Sequence, residues 1–126
     1  MLRQDELIAF VSTTDLARSR AFYEDALGLT LLDQSEFANV FDANGTMLRV
    51  TLAAVFSPAP FTVLGWGVKD IEESVQSLLV RGIDPRVFPG LGQDAAGIWT
   101  TPNGDRIAWF QDPDGNTLSL TEFRAH

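Results

Sequence analysis

Asp15-Leu16-Ala17-Arg18-Ser19 and, 55 residues further on, Asp70-Ile71-Glu72-Glu73-Ser74 open two helical runs of the same design. Each follows a short apolar stretch and starts at an aspartate suited to cap a helix N-terminus. Each ends at a glycine, Gly28 or Gly82, suited to the left-handed residue that closes a helix. Turn signals repeat as well. Asp42-Ala43-Asn44-Gly45 in the first half has a counterpart 70 residues on, in Asp112-Pro113-Asp114-Gly115. Two copies of one supersecondary unit therefore fill the chain.

Working outward from the first helix, 7–13 is predicted as a strand bounded by polar residues. Leu16, Ser19, Phe22, Tyr23, Ala26 and Leu27 recur at helical spacing. Strands are expected over 29–33, 37–42 and 46–54, with Asn44-Gly45 as the hairpin turn. A link at 56–61, stiffened by Pro58 and Pro60, leads to the second copy. There a strand over 62–68 precedes a helix whose start, Asp70 with Glu73, reads as a capping box. Its apolar face is Ile71, Val75, Leu78 and Leu79. Strands near 84–88, 97–101, 106–111 and 117–121 follow. The reading is an α+β fold of two tandem βαβββ modules, about 5–55 and about 61–123, within one domain of 126 residues. Their strands are expected to form a curved mixed sheet around a cavity, with the helices on the outer face.

A net charge of −8, from seventeen acidic and nine basic residues, excludes the basic footprint that nucleic-acid binding needs. No apolar run is long enough to span a membrane, and residues 1–6 are polar, so no membrane association and a cytoplasmic location are expected. Without cysteine there is no disulfide, no thiolate nucleophile and no Cys-ligated zinc. The single histidine is His126, the last residue, which argues against a catalytic histidine.

Strand alternation assigns faces. Leu7, Ala9 and Val11, with Leu64, Trp66 and Val68, are expected to pack on the helices. Ile8, Phe10 and Ser12, with Val63, Gly65 and Gly67, then point to the opposite, concave face. Leu48, Val50 and Leu52 match Leu118 and Leu120 on the helix side, while Arg49 and Thr51 match Ser119 and Thr121 on the concave side. Carrying the 70-residue offset through, Phe37, Asn39 and Phe41 are matched to Ile107, Trp109 and Gln111 and placed on the concave side too. The expected ligand-binding set is therefore Phe10, Phe37, Asn39, Phe41, Arg49, Trp109, Gln111 and Ser119. Aromatic rings with sparse polar groups between them are the usual make-up of a small-molecule site. The glycines at 65 and 67 either open room for a ligand or permit close packing, and 89–97 reads as a flexible loop suited to a lid. Tyr23 reads as core or as a contact between copies.

The stretch Asp15-Leu16-Ala17-Arg18-Ser19-Arg20-Ala21-Phe22-Tyr23 with Leu27-Gly28-Leu29, together with Phe110-Gln111-Asp112-Pro113-Asp114-Gly115-Asn116-Thr117-Leu118, resembles the opening and closing segments of the glyoxalase / bleomycin-resistance / extradiol-dioxygenase (vicinal oxygen chelate) superfamily. The resemblance covers nearly the whole chain. It implies two βαβββ modules around a small-molecule cavity, and short members that are usually homodimers. It also implies four metal-ligand positions, which fall here on Ile8, Arg49, Val63 and Ser119. Ile8 and Val63 have no donor atom, Arg49 is cationic, and Ser119 is a poor lone ligand. No metal and no other cofactor is therefore expected.

These readings favour a metal-free binding protein that sequesters or carries a small aromatic ligand, acting as a homodimer. The alternatives are a lyase, isomerase or dioxygenase of the same superfamily, with a displaced metal or a metal-free mechanism, and a structural or regulatory protein whose cavity is filled.

Overall fold

In the computed structural model, which describes residues 1–124, the chain divides into two compact units. The first ends at Pro58 and the second begins at Ala59, inside the proline-bearing link. The first unit runs β1 (Ile8–Thr13), α1 (Leu16–Arg20) continued by a π-helical turn over Ala21–Ala26, β2 (Thr30–Gln34), β3 (Ala38–Ala43) and β4 (Thr46–Leu52). The second runs β5 (Thr62–Gly67), α2 (Ile71–Val80), β6 (Trp99–Thr100), β7 (Arg106–Gln111) and β8 (Thr117–Glu122). Each holds a four-stranded mixed sheet, in the orders β1-β4-β3-β2 and β5-β8-β7-β6. The fold is α+β, and the βαβββ order occurs twice. In both units the first strand pairs parallel with the last. The helix belongs to the long connection that such pairing needs.

The helix starts follow from their caps. Asp15 and Asp70 sit in extended backbone, and each carboxylate accepts from the N–H three residues on, Arg18 N and Glu73 N, at 3.1 Å in both cases. The capping box is only half formed. Glu73 does not reach back; instead Glu122 Oε1 on β8 accepts from Ile71 N at 3.0 Å, so a free N–H of the first turn is met from the sheet. Glu122 also lies 3.9 Å from Arg106, whose guanidinium donates to Glu72 at 2.9 Å. That hydrogen bond, against partial desolvation, raises the Arg106 pKa further above its ordinary value. Gly28 and Gly82 close the two helical segments at φ +76° and +79°.

The π-helical turn solves a packing problem. Leu27 N donates to Phe22 O, five residues back, and the adjacent residues Phe22 and Tyr23 are both buried. Tyr23 lies 5.1 Å from Phe22 and 5.9 Å from Phe41, ring centre to ring centre, which places it in the core. Phe41, Leu48 and Val50 are fully buried in the first unit; in the second, Ile71 of α2 and Phe110 and Leu118 of the sheet are fully buried. Each such side chain contributes about 1.5–3 kcal/mol when buried.

The expected strand at 84–88 does not form. Pro85 and Pro89 remove two ladder donors, and Arg86 N to Trp109 O, 2.7 Å, is the backbone bond that ties this stretch to β7. The strand expected at 97–101 shortens to Trp99–Thr100, because Gly97 turns the chain at φ +81°. Among the described residues no helix is long and apolar enough to cross a membrane.

Candidate functional site: the sheet faces opposite the helices

The helix face of the second sheet leaves little space. Between α2 and its sheet lies an apolar cavity of about 10 Å³ lined by Val75, Leu78, Ile83, Pro85, Phe110 and Leu120, among others. That is barely the volume of one water. The faces turned away from the helices hold the candidate chemistry.

In the first unit the register sets Phe10, Arg49, Val40 and Asp33 side by side in one row across four strands. Ile8, Met47 and Asp42 form the next row, and Ser12, Thr51 and Ala38 another. Phe10 is 59% exposed and Ile8 45%. Arg49 is half-buried and has no hydrogen-bond or ion-pair partner among the described residues.

Two expected site residues are not on this face. Asn39 pairs with Val50 and Phe41 with Leu48, so both share the helix side. Asn39 is fully buried, and its Nδ2 donates to Leu16 O at 2.8 Å, while Oδ1 has no partner. Phe41 is fully buried against Tyr23. The cause is hairpin length. The first unit closes β3 to β4 with the two residues Asn44-Gly45, at φ +50° and +93°. The second closes β7 to β8 with five, 112–116. Two and five differ in parity, so one offset cannot serve both strands of the hairpin. The 70-residue offset holds for β4 and β8 but fails by one residue for β3 and β7, and one residue exchanges the faces of a strand. The true partner of Phe41 in the repeat is Phe110. Phe37 stands just before β3 and is 71% exposed; its carbonyl accepts from Leu52 N.

In the second unit Trp109, Gln111 and Ser119 do share the face opposite the helix. Trp109 pairs with Ser119, Gln111 with Thr117, and Ile107 with both Thr121 and Trp99. Trp109 Nε1 donates to Thr62 Oγ1 at 3.1 Å. Its ring stacks on Trp99 at 6.2 Å and meets the edge of Phe88 at 5.3 Å and 89°. Phe88 and Trp99 are members of this aromatic wall that the sequence reading missed. Both lie in stretches predicted as strands, 84–88 and 97–101, of which only the second forms, over Trp99–Thr100.

Phe88 is set by a clasp. Gln93 Oε1 accepts from Phe88 N at 2.7 Å, while Nε2 donates to Arg86 O at 2.9 Å and to Gly97 O at 2.7 Å. Asp94 Oδ1 then accepts from Ala96 N and Ile98 N. The loop expected as a flexible lid is thus a hydrogen-bonded structure. Of the two strand glycines, Gly65 permits close packing, while at Gly67 a side chain would meet only an ordinary contact. A Cβ on Gly65 would lie 2.6 Å from Ser119 Oγ, and one on Gly67 would lie 3.5 Å from the Phe123 ring.

The metal positions implied by the resemblance fail a test of donor chemistry. Ile8 and Val63 offer none, Arg49 is a cation, and the Ser119 hydroxyl is a single neutral oxygen lodged over Gly65. Among the described residues no group of three or more His, Cys, Asp or Glu could hold an ion. His126 lies outside the described residues.

The family model described as Glyoxalase/Bleomycin resistance protein/Dioxygenase superfamily matches residues 7–120. The chain belongs to this superfamily. Solved structures of the superfamily share its fold. A glyoxalase family protein from Enterococcus faecalis superposes with a TM-score of 0.77 at 19% identity, covering 97% of this chain and 100% of that one. A bleomycin resistance determinant encoded on the transposon Tn5 gives 0.75 at 19% identity over 97% and 100%. Lactoylglutathione lyase from Agrobacterium tumefaciens gives 0.72 at 17% identity over 94% and 93%. No protein of curated function matches the chain by sequence.

Proposed function

We propose that this superfamily member binds a small, flat aromatic molecule without a metal ion and sequesters or carries it. The observation that carries the reading is the aromatic wall of Trp109, Trp99 and Phe88, flanked by the hydrogen-bonding groups of Thr62, Gln111 and Ser119. Rings offer stacking surface and the sparse polar groups offer direction, the division of labour common in small-molecule sites. The donor chemistry at Ile8, Arg49, Val63 and Ser119 supports binding over metal-dependent catalysis. A second copy of the chain is the proposed partner: β1 is an edge strand of its own sheet, open to pairing along one side. The cytoplasm is the proposed location, which suits a chain with no cysteine to oxidise.

Tryptophan emission tests the reading. Planar aromatic compounds are titrated into the intact protein, and quenching is compared in Trp109→Ala and Trp66→Phe. Trp66 is the control, because it stacks on the buried Phe110 at 6.4 Å. Saturable quenching that survives Trp66→Phe and disappears in Trp109→Ala is the expected result. A full panel without saturable quenching or a rise in melting temperature overturns the reading, as does one equivalent of transition metal in the purified protein. Native mass spectrometry of the same sample checks for the dimer.

A further inference from the structure

We propose that Arg49 is an anion-binding residue and that the ligand class of the first unit's open face is an aromatic monocarboxylate. This goes beyond the small-molecule reading above, whose aromatic wall belongs to the second unit. Arg49 is half-buried, yet no carboxylate, hydroxyl or carbonyl among the described residues engages it. Its nitrogens reach the surface and are not among the buried unpartnered atoms, so the fork stands open to an arriving anion. Its flat fork of N–H donors matches the two oxygens of a carboxylate.

The neighbours refine the class. Phe10 lies directly beside Arg49 on β1 and Val40 directly beside it on β3, so the cation has an apolar flank on each side. Phe10 is 59% exposed and offers a ring face to an aromatic group. The same face also carries carboxylates. Asp33 lies in the Arg49 row two strands away, about 10 Å at the usual strand spacing. Asp42 is in the next row, with Oδ1 already accepting from Gly45 N. With one cation, two nearby carboxylates and a net charge of −8, the face suits a singly charged ligand and repels a dianion. Arg49 stands where the family resemblance implies a metal ligand. Here a fixed organic cation takes up the ligand oxygens that an ion would otherwise hold.

The test is calorimetric titration of 2-naphthoate and its neutral isostere 2-naphthamide into the full-length protein, Arg49→Gln and Arg49→Lys. The wild type is expected to bind the acid about tenfold or more tightly than the amide, the scale of one charge-assisted pair. Arg49→Gln removes that preference and leaves the amide affinity in place, which shows that the variant is folded. Arg49→Lys keeps the charge without the fork and retains part of the preference. Equal affinities for the two probes, or a preference that survives Arg49→Gln, overturns the inference while sparing the small-molecule reading. Silence from both probes overturns the inference, and the quenching panel then decides the broader reading separately.

Discussion

The two hairpins that end the modules do the same job with different turns. Asn44-Gly45 is a two-residue connection with both residues at positive φ, and its single side-chain bond is Asp42 Oδ1 accepting from Gly45 N at 2.8 Å. The five residues at 112–116 are built around a buried carboxylate. Asp112 Oδ1 accepts from Asp114 N and Asn116 N, and Oδ2 accepts from Asn116 Nδ2, at 2.8–3.0 Å. The first turn is held by backbone conformation, the second by an internal network. The change of turn alters the parity of the hairpin, and so decides which residues of β3 and β7 face the helices. A duplicated fold thus carries different side chains on equivalent faces: Val40 beside Arg49 in the first unit, Trp109 beside Ser119 in the second.

The largest expected effect tests the face exchange directly. Phe41→Ala and Phe110→Ala should each cost about 3–5 kcal/mol in denaturant unfolding, as buried aromatic truncations do. If Phe41→Ala costs under about 1 kcal/mol, a value typical of exposed sites, its assignment to the helix side is wrong. Next in size, Asp112→Ala should lose about 2–3 kcal/mol, because a buried carboxylate with several donors is removed. Asp42→Ala, with one exposed bond, should lose about 0.5–1 kcal/mol. Equal losses at the two positions would erase the distinction between the turns.

The same contrast extends to the strand before each hairpin. Thr30–Gln34 is a true strand on β3, whereas the stretch facing β7 is held by Gln93. Gln93→Ala should cost about 1–2 kcal/mol, three neutral hydrogen bonds offset by water, and raise amide exchange across 86–98. Exchange that stays slow there would show that the clasp is dispensable. An effect similar to that at Asp42 is expected at Gly45→Ala, about 1 kcal/mol for a side chain at φ +93°. A neutral result in the melting temperature would mean that the Asn44-Gly45 turn tolerates strain.

Sequence alone determined the repeat, both helix starts, the strand order and the class of fold, because caps, glycines and apolar periodicity act over a few residues. It also placed Phe10, Arg49, Trp109, Gln111 and Ser119 on the faces opposite the helices, since alternation within a strand is local. What tertiary structure decided was everything that depends on how one strand meets another. Hairpin parity moved Asn39 and Phe41 into the core, and Gln93 drew Phe88 to the Trp109 ring. Each is a contact between residues separated in the chain, whose energy enters only once the backbone has closed on itself.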